Sequence, residues 1–203
     1  MFLSKIELDT RFHRDPYQWH KALWTLFPDQ PSADRPFLFS VDRRARYHAS
    51  LEILLQSTLE PVSGGEGLRL RGTKQFDPRP RAAQVLHFRL TANPVKTIPD
   101  RQGSSSTASK PKSCRVPLIG QESLQEWLGR KLSSAATILD SSLLVQPRPP
   151  LYFRRGGRPG KIVPVDYEGL LTVTDPEKLL DLLGRGIGPA KAFGCGLMLV
   201  RRC

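Results

Sequence analysis

Two of the chain's three Asp-Pro pairs constrain its fold more than any other feature. Asp15-Pro16 and Asp175-Pro176 each follow a stretch with strand character and open a run with helical periodicity. An Asp side chain at a helix start accepts a hydrogen bond from the first free backbone N–H groups, and a Pro at the first helical position forfeits no bond there. Each pair therefore marks a strand-to-helix step. Around the first, Phe2–Asp9 alternates as a strand with one irregularity, with Leu3, Ile6 and Leu8 broadly inward. The helix behind it runs to about Phe27, stopped by Pro28. Strands are expected at Phe37–Val41 and Leu51–Ser57, separated by the basic run Arg43-Arg44-Ala45-Arg46, and a short one at Leu68–Arg71, with no second helix evident.

The second half restarts with a strand at Val85–Leu90. A helix at Gln121–Leu132 follows, with Leu124, Trp127, Leu128 and Leu132 on one face. Strand candidates fall at Leu143–Val145, Leu151–Phe153, Ile162–Val165 and Leu170–Val173, before a helix from Asp175 through Leu183 and a closing strand at Leu197–Val200. The order β-α-β-β-α-β is clear in this half and partial in the first. It predicts an α+β protein of two tandem ferredoxin-like (RRM-like) domains, residues 1–82 and 83–203.

Charge narrows the class of partner. The 203 residues carry a formal net charge of +12, which points to a polyanion, nucleic acid first. Residues 1–82 hold 13 basic and 10 acidic side chains, and residues 83–203 hold 18 and 9, so three quarters of the excess lies in the second half. That half is expected to supply most phosphate contacts. No apolar run approaches the roughly 20 residues of a membrane span, and the N-terminus lacks the apolar core of a signal peptide. The three cysteines, Cys114, Cys195 and Cys203, are scattered without a C-x-x-C. This argues against a disulfide framework or a zinc site and suits a reducing cytoplasm.

Chemistry concentrates on the first helix. Trp19, Ala22, Leu23 and Leu26 form its buried stripe, and Tyr17, His20, Lys21 and Trp24 lie opposite, near a start loop containing Arg11 and Arg14. A phenol, an imidazole and an ammonium on one face suit cleavage of an RNA phosphodiester without a metal. The 2′-hydroxyl must lose a proton, the phosphorane must be stabilised and the 5′-oxygen must gain a proton. His20 can make either transfer, Lys21 can stabilise phosphate charge, and Tyr17 can orient the nucleophile or share the proton transfer. His13, His48 and His87 have no partners at ligand spacing and read as structural or surface residues. No H-E-x-x-H, acidic metal pair or P-loop is present, and no metal or other cofactor is expected. The segment Gly186-Ile-Gly188-Pro-Ala-Lys191-Ala-Phe-Gly194-Cys-Gly196 is no nucleotide fingerprint. Its glycines allow close backbone approach and can offer N–H groups to phosphate, with Lys191 beside them.

The runs M-F-L-S-K-I, D-P-Y-Q-W-H-K-A-L-W-T-L-F-P, F-R-L-T-A-N-P-V-K-T, C-R-V-P-L-I and G-I-G-P-A-K-A-F-G-C-G-L resemble the CasE family, the type I-E CRISPR repeat-RNA endoribonucleases. The resemblance spans residue 1 to about 200. It implies two tandem ferredoxin-like domains and metal-independent cutting of CRISPR precursor RNA at the 3′ base of the repeat stem-loop. It also implies 5′-hydroxyl and 2′,3′-cyclic (or 3′) phosphate ends and retention of the crRNA hairpin as a subunit of Cascade, with the protein a monomer when isolated. The family's catalytic His falls on His20, its Tyr on Tyr17, and its next basic position on Lys21. Its basic hairpin falls on Arg154-Arg155-Gly156-Gly157-Arg158-Pro159-Gly160-Lys161, a Gly/Pro turn with four cations suited to phosphate and guanine contacts. On this reading Arg154, Arg155, Arg158 and Lys161 grip the stem. Lys191 and the glycines 186, 188, 194 and 196 support RNA and fold. A non-catalytic RNA-binding subunit and a DNA-binding protein are the competing readings. Which of His20 and Tyr17 is the base stays open.

Overall fold

The computed structural model describes residues 1–12, 15–28, 35–42, 50–99 and 113–203. His13, Arg14, the run Arg43–Arg46, His48 and the Ser-rich loop 101–112 lie outside these residues, as do the side chains of Thr10, Ser113, Arg155 and Arg158.

The first half is β1 (Phe2–Asp9), α1 (Pro16–Trp24), β2 (Phe37–Asp42), β3 (Ser50–Ser57) and β4 (Leu68–Gln75). They form an antiparallel sheet of order β2-β3-β1-β4. The irregularity expected in β1 is a register shift between Lys5 and Ile6 against β4. The inward set differs by one residue from expectation. Ser4, Ile6 and Leu8 are buried together, whereas Leu3 is only half-buried. Strict alternation puts Ser4 on the inner face, where its hydroxyl meets that of Thr73 at 3.0 Å.

The Asp15 carboxylate accepts from the Tyr17 N–H at 3.0 Å and so caps α1, with Pro16 in the first turn. Regular helix ends at Trp24, earlier than the expected Phe27. Thr25 turns its hydroxyl back onto the Ala22 carbonyl at 2.7 Å, and the chain continues as turns into Pro28. No second helix follows β3. Instead the connection packs on the end of α1, where the Val62 N–H donates to the Leu26 carbonyl at 3.1 Å.

The second half adds β5 (Val85–Ala92), a hairpin of β6 (Val95–Pro99) and β7 (Ser113–Pro117), then α2 (Gln121–Leu132) and β8 (Ala136–Ile138). There follow β9 (Leu144–Pro147), a second hairpin of β10 (Leu151–Arg155) and β11 (Arg158–Ile162), β12 (Val165–Val173), α3 (Pro176–Arg185) and β13 (Met198–Arg202). The sheet order is β13-β5-β12-β8, with β9 also paired to β12. Setting the hairpins aside, this is the same 4-1-3-2 order as the first sheet. Its second strand is broken into β8 and β9 by a 3-10 turn at Asp140–Ser142. The structure is therefore two tandem ferredoxin-like sheets. Sequence patterning merged Ile162–Val165 into one strand, whereas Ile162 ends a hairpin and Val165 begins β12. The short β6, β7 and β8 were not expected.

The two halves share packing. The core under the first sheet contains Ile6, Leu8, Trp19, Leu23 and Leu26 from the first half and Leu151, Ile162 and Cys195 from the second. Each such buried apolar side chain contributes about 1.5–3 kcal/mol. In a unit with one helix, this borrowed material closes the core. It also fixes the β10–β11 hairpin and the glycine-rich segment beside α1. Buried Gln56 on β3 donates its side-chain N–H to the Leu183 carbonyl at 2.7 Å, a further tie across the halves. No helix among the described residues is long and apolar enough to cross a membrane.

Candidate functional site

The outer face of α1 carries the site. Trp19, Ala22 and Leu23 point into the core, which leaves Tyr17, His20 and Trp24 half-buried and Lys21 exposed. The Lys21 ammonium lies 5.2 Å from the centre of the Tyr17 ring, a cation–π contact that brings charge to the phenol. The Trp24 indole N–H donates to His20 Nε2 at 3.0 Å, with the two rings edge to face. An indole nitrogen can only donate, so this contact fixes His20 as neutral imidazole with its proton on Nδ1. The same hydrogen bond occupies the Nε2 lone pair. Burial pushes the His20 pKa below its ordinary 6.5, and the charge of Arg35 lowers it further.

Two elements from the second half meet this face. A 3-10 turn at Lys191–Phe193, inside the glycine-rich segment, packs against α1 and β2, and β10 packs against α1. Phe193 bridges them, its ring centre 6.3 Å from Tyr17 and 4.4 Å from Phe153 of β10. The hairpin itself turns at Gly156-Gly157, with Arg154 and Lys161 exposed and the Lys161 ammonium 5.9 Å from the centre of the exposed Tyr152 ring. Tyr17, His20 and Lys21 are thus gathered with Lys191 and the base of the β10–β11 hairpin.

The glycines do something other than line the surface. Gly186 has φ +74°, and a Cβ there would lie 2.8 Å from the Leu38 methyls of β2. Gly194 has φ +77° and faces Phe39 and Val41 of the same strand at 3.2 Å. Gly188 lies against Trp127, and Gly196 against the Ile187 carbonyl. The N–H groups of Gly186 and Gly196 already donate to the carbonyls of Leu182 and Thr91, at 2.8 and 2.7 Å. These two amides do not meet the expectation of free N–H groups for phosphate. The segment instead locks the two halves together and sets the position of Lys191, whose ammonium donates to the Arg185 carbonyl at 2.6 Å. Burial lowers the Lys191 pKa, and repulsion from Arg35 and Arg185 adds to it.

Other expected groups sit elsewhere. Arg11 is paired with Glu66 at 2.8 Å. His87 lies on β5 with Glu168 at 3.1 Å and Arg201 at 3.4 Å, in keeping with a structural role. Sequence reasoning missed Arg35, just before β2, and the Trp24 indole as a partner of His20. The signal for both was topological. In a β-α-β unit the start of the second strand returns beside the end of the helix, and Trp24 lies 5.5 Å from Phe37, centre to centre.

The two ferredoxin-like units thus present a Tyr-x-x-His helix on a face that both halves assemble. The chain belongs to the family of CRISPR associated proteins, whose model matches residues 1–202. It is 43% identical over 198 residues to the CRISPR system Cascade subunit CasE of Escherichia coli K12, covering 98% of each chain. It is 31% identical over 224 residues to the CRISPR-associated endoribonuclease Cse3 of Thermus thermophilus, covering 98% of this chain and 99% of that one. Among solved structures it is similar to Cas6e from E. coli K-12, with a TM-score of 0.84 and 40% identity over 100% of both chains. It is also similar to a CRISPR endoribonuclease Cse3 bound to a 19-nucleotide RNA, with a TM-score of 0.82 and 29% identity over 99% of this chain and 100% of that one.

Proposed function

We infer that this chain is a metal-independent endoribonuclease of CRISPR precursor RNA. It cuts at the 3′ base of the repeat stem-loop and stays bound to the crRNA hairpin within Cascade, in the cytoplasm, and is a monomer when isolated. The reading divides the chain at residues 1–82 and 83–203. The first domain carries the cleaving helix, and the second carries the basic hairpin and glycine-rich segment. The observation that carries it is the convergence of Tyr17, His20 and Lys21 with Lys191 and the β10–β11 hairpin on one face assembled by both halves. Relatives at 43% and 31% identity named as a Cascade subunit and an endoribonuclease support it.

In the reaction the 2′-oxygen forms a bond to phosphorus as the bond from phosphorus to the 5′-oxygen breaks. One proton leaves the 2′-hydroxyl and another reaches the departing 5′-oxygen, giving a 2′,3′-cyclic phosphate and a 5′-hydroxyl. His20 makes one of these transfers and Tyr17 orients or shares the other, while Lys21 offsets charge on the phosphorane. Arg154, Arg155, Arg158 and Lys161 hold the stem. The test is incubation with a repeat hairpin in EDTA. Wild type should cut and His20→Ala should bind without cutting. A requirement for divalent metal, or full cleavage by His20→Ala, would sink the reading.

A further inference from the structure

Arg35 is placed unlike any other described cation. It precedes β2 and lies partly buried against the Phe37 ring, its guanidinium carbon 5.8 Å from the ring centre. The same ring lies 6.1 Å from His20, so the guanidinium and the imidazole share one aromatic wall. The Arg35 Nε is buried and has no hydrogen-bond acceptor among the described residues. A buried N–H without a partner is costly, and more so on a charged group. No carboxylate among the described residues forms an ion pair with Arg35, and the titratable side chains that feel its charge there are His20 and Lys191. Its charge opposes protonation of both His20 and Lys191. Arg185, the next cation, already has Asp181 as partner. Among the described residues the site therefore gathers positive charge and leaves the Arg35 Nε without an acceptor. A phosphodiester supplies what is missing, an anion whose non-bridging oxygens accept from a guanidinium fork.

We propose that Arg35 is a phosphate-binding residue of the cleavage site, donating to a non-bridging oxygen of the RNA backbone beside His20. This rests on the nuclease reading above and adds a donor that the Tyr-x-x-His pattern does not contain. The Phe37 ring backs the guanidinium at 5.8 Å, and the charge of Arg35 reaches Lys191 of the glycine-rich segment. As charge builds on the equatorial oxygens of the phosphorane, a donor already in place and poorly hydrated is worth more than it is in the ground state.

Arg35→Gln removes the charge and the fork, and Arg35→Lys keeps the charge alone. Single-turnover cleavage of a repeat hairpin at saturating protein should fall about 100-fold in Arg35→Gln, the typical loss for one transition-state donor. The fall in Arg35→Lys should be smaller. Hairpins with either non-bridging oxygen of the scissile phosphate replaced by sulfur should be cut at different rates by wild type, and those rates should converge in Arg35→Gln. A merely structural residue would slow both forms alike. Separately, the His20 imidazole resonance should respond to inorganic phosphate in wild type, with the response weakened at least 10-fold in Arg35→Gln. Equal rates, or an unchanged sulfur discrimination in both variants, would overturn the assignment, as would a phosphate response indifferent to Arg35. If wild type cut no repeat hairpin while Arg35 still governed the phosphate response, the nuclease reading would fall and the anion site would stand.

Discussion

Two regions of this molecule are rich in charge, and they differ in how that charge is partnered. The open faces of the two sheets enclose a cleft of about 620 Å³. Three of its four lining cations are matched, Arg71 with Glu7 at 2.6 Å, Arg89 with Glu168 at 3.2 Å, and Arg148 with Asp166, whereas Lys5 forms no ion pair among the described residues. The face around α1 has no such order. Among the described residues Lys21, Arg35, Arg154 and Lys161 form no ion pair with a carboxylate, and Lys191 is turned toward a backbone carbonyl. Paired charges cancel at a distance and hold the sheets in register. Unpaired ones leave a field that draws a polyanion and sharpen the salt dependence of its binding. On the proposed reading, the RNA site is the face with uncompensated cations next to an imidazole, and the 620 Å³ cleft is not.

The sharpest way to break this contrast is His20→Ala. It should lower cleavage by roughly 10²–10⁴-fold while hairpin affinity changes little, as rates and gel shifts would show. Because the α1 face is assembled across both halves, loosening their seam should blunt it. Gly186→Ala meets both a left-handed backbone and the Leu38 methyls. It should cost about 1–3 kcal/mol of stability by chemical denaturation and weaken RNA binding along with it. A subtler change concerns protonation. Trp24→Phe removes the donor to His20 Nε2, so the His20 pKa should rise from its depressed value in an NMR titration. The sign for stability follows from burial. A neutral folded His20 takes up a proton less readily than the unfolded chain. Its contribution is therefore full above the unfolded pKa of about 6.5 and is lost as pH falls below it.

Much of this was legible in residue order. Asp15-Pro16 and Asp175-Pro176 placed two helices because capping and φ restriction are local effects, and α2 followed from a 3.6-residue apolar period. The grouping of Tyr17, His20 and Lys21 followed from helical geometry alone. What escaped the sequence depended on tertiary contacts. Leu3 and Ser4 exchanged faces because alternation in β1 outranked hydrophobicity. β8 is three residues long and exists through its pairing with β12. The four glycines looked like a surface cradle, but Gly186 and Gly194 are small because β2 passes over them. Arg35 sat in a Pro/Asp-rich turn with no motif. It acquires meaning only where Phe37 and His20 surround it.

The contrast between the two regions is tested most directly by the salt dependence of hairpin binding. The probe is a repeat hairpin blocked by a 2′-deoxy nucleotide at the cut site. It would be bound to wild type, to Lys21→Gln/Arg154→Gln/Lys161→Gln on the α1 face, and to Arg71→Gln/Arg89→Gln in the cleft. The account predicts that the α1-face variant flattens the slope of log K against log salt by roughly 0.7–0.9 for each phosphate no longer neutralised, while the cleft variant keeps the wild-type slope. A wild-type slope in the α1-face variant together with a flattened one in the cleft variant would contradict it.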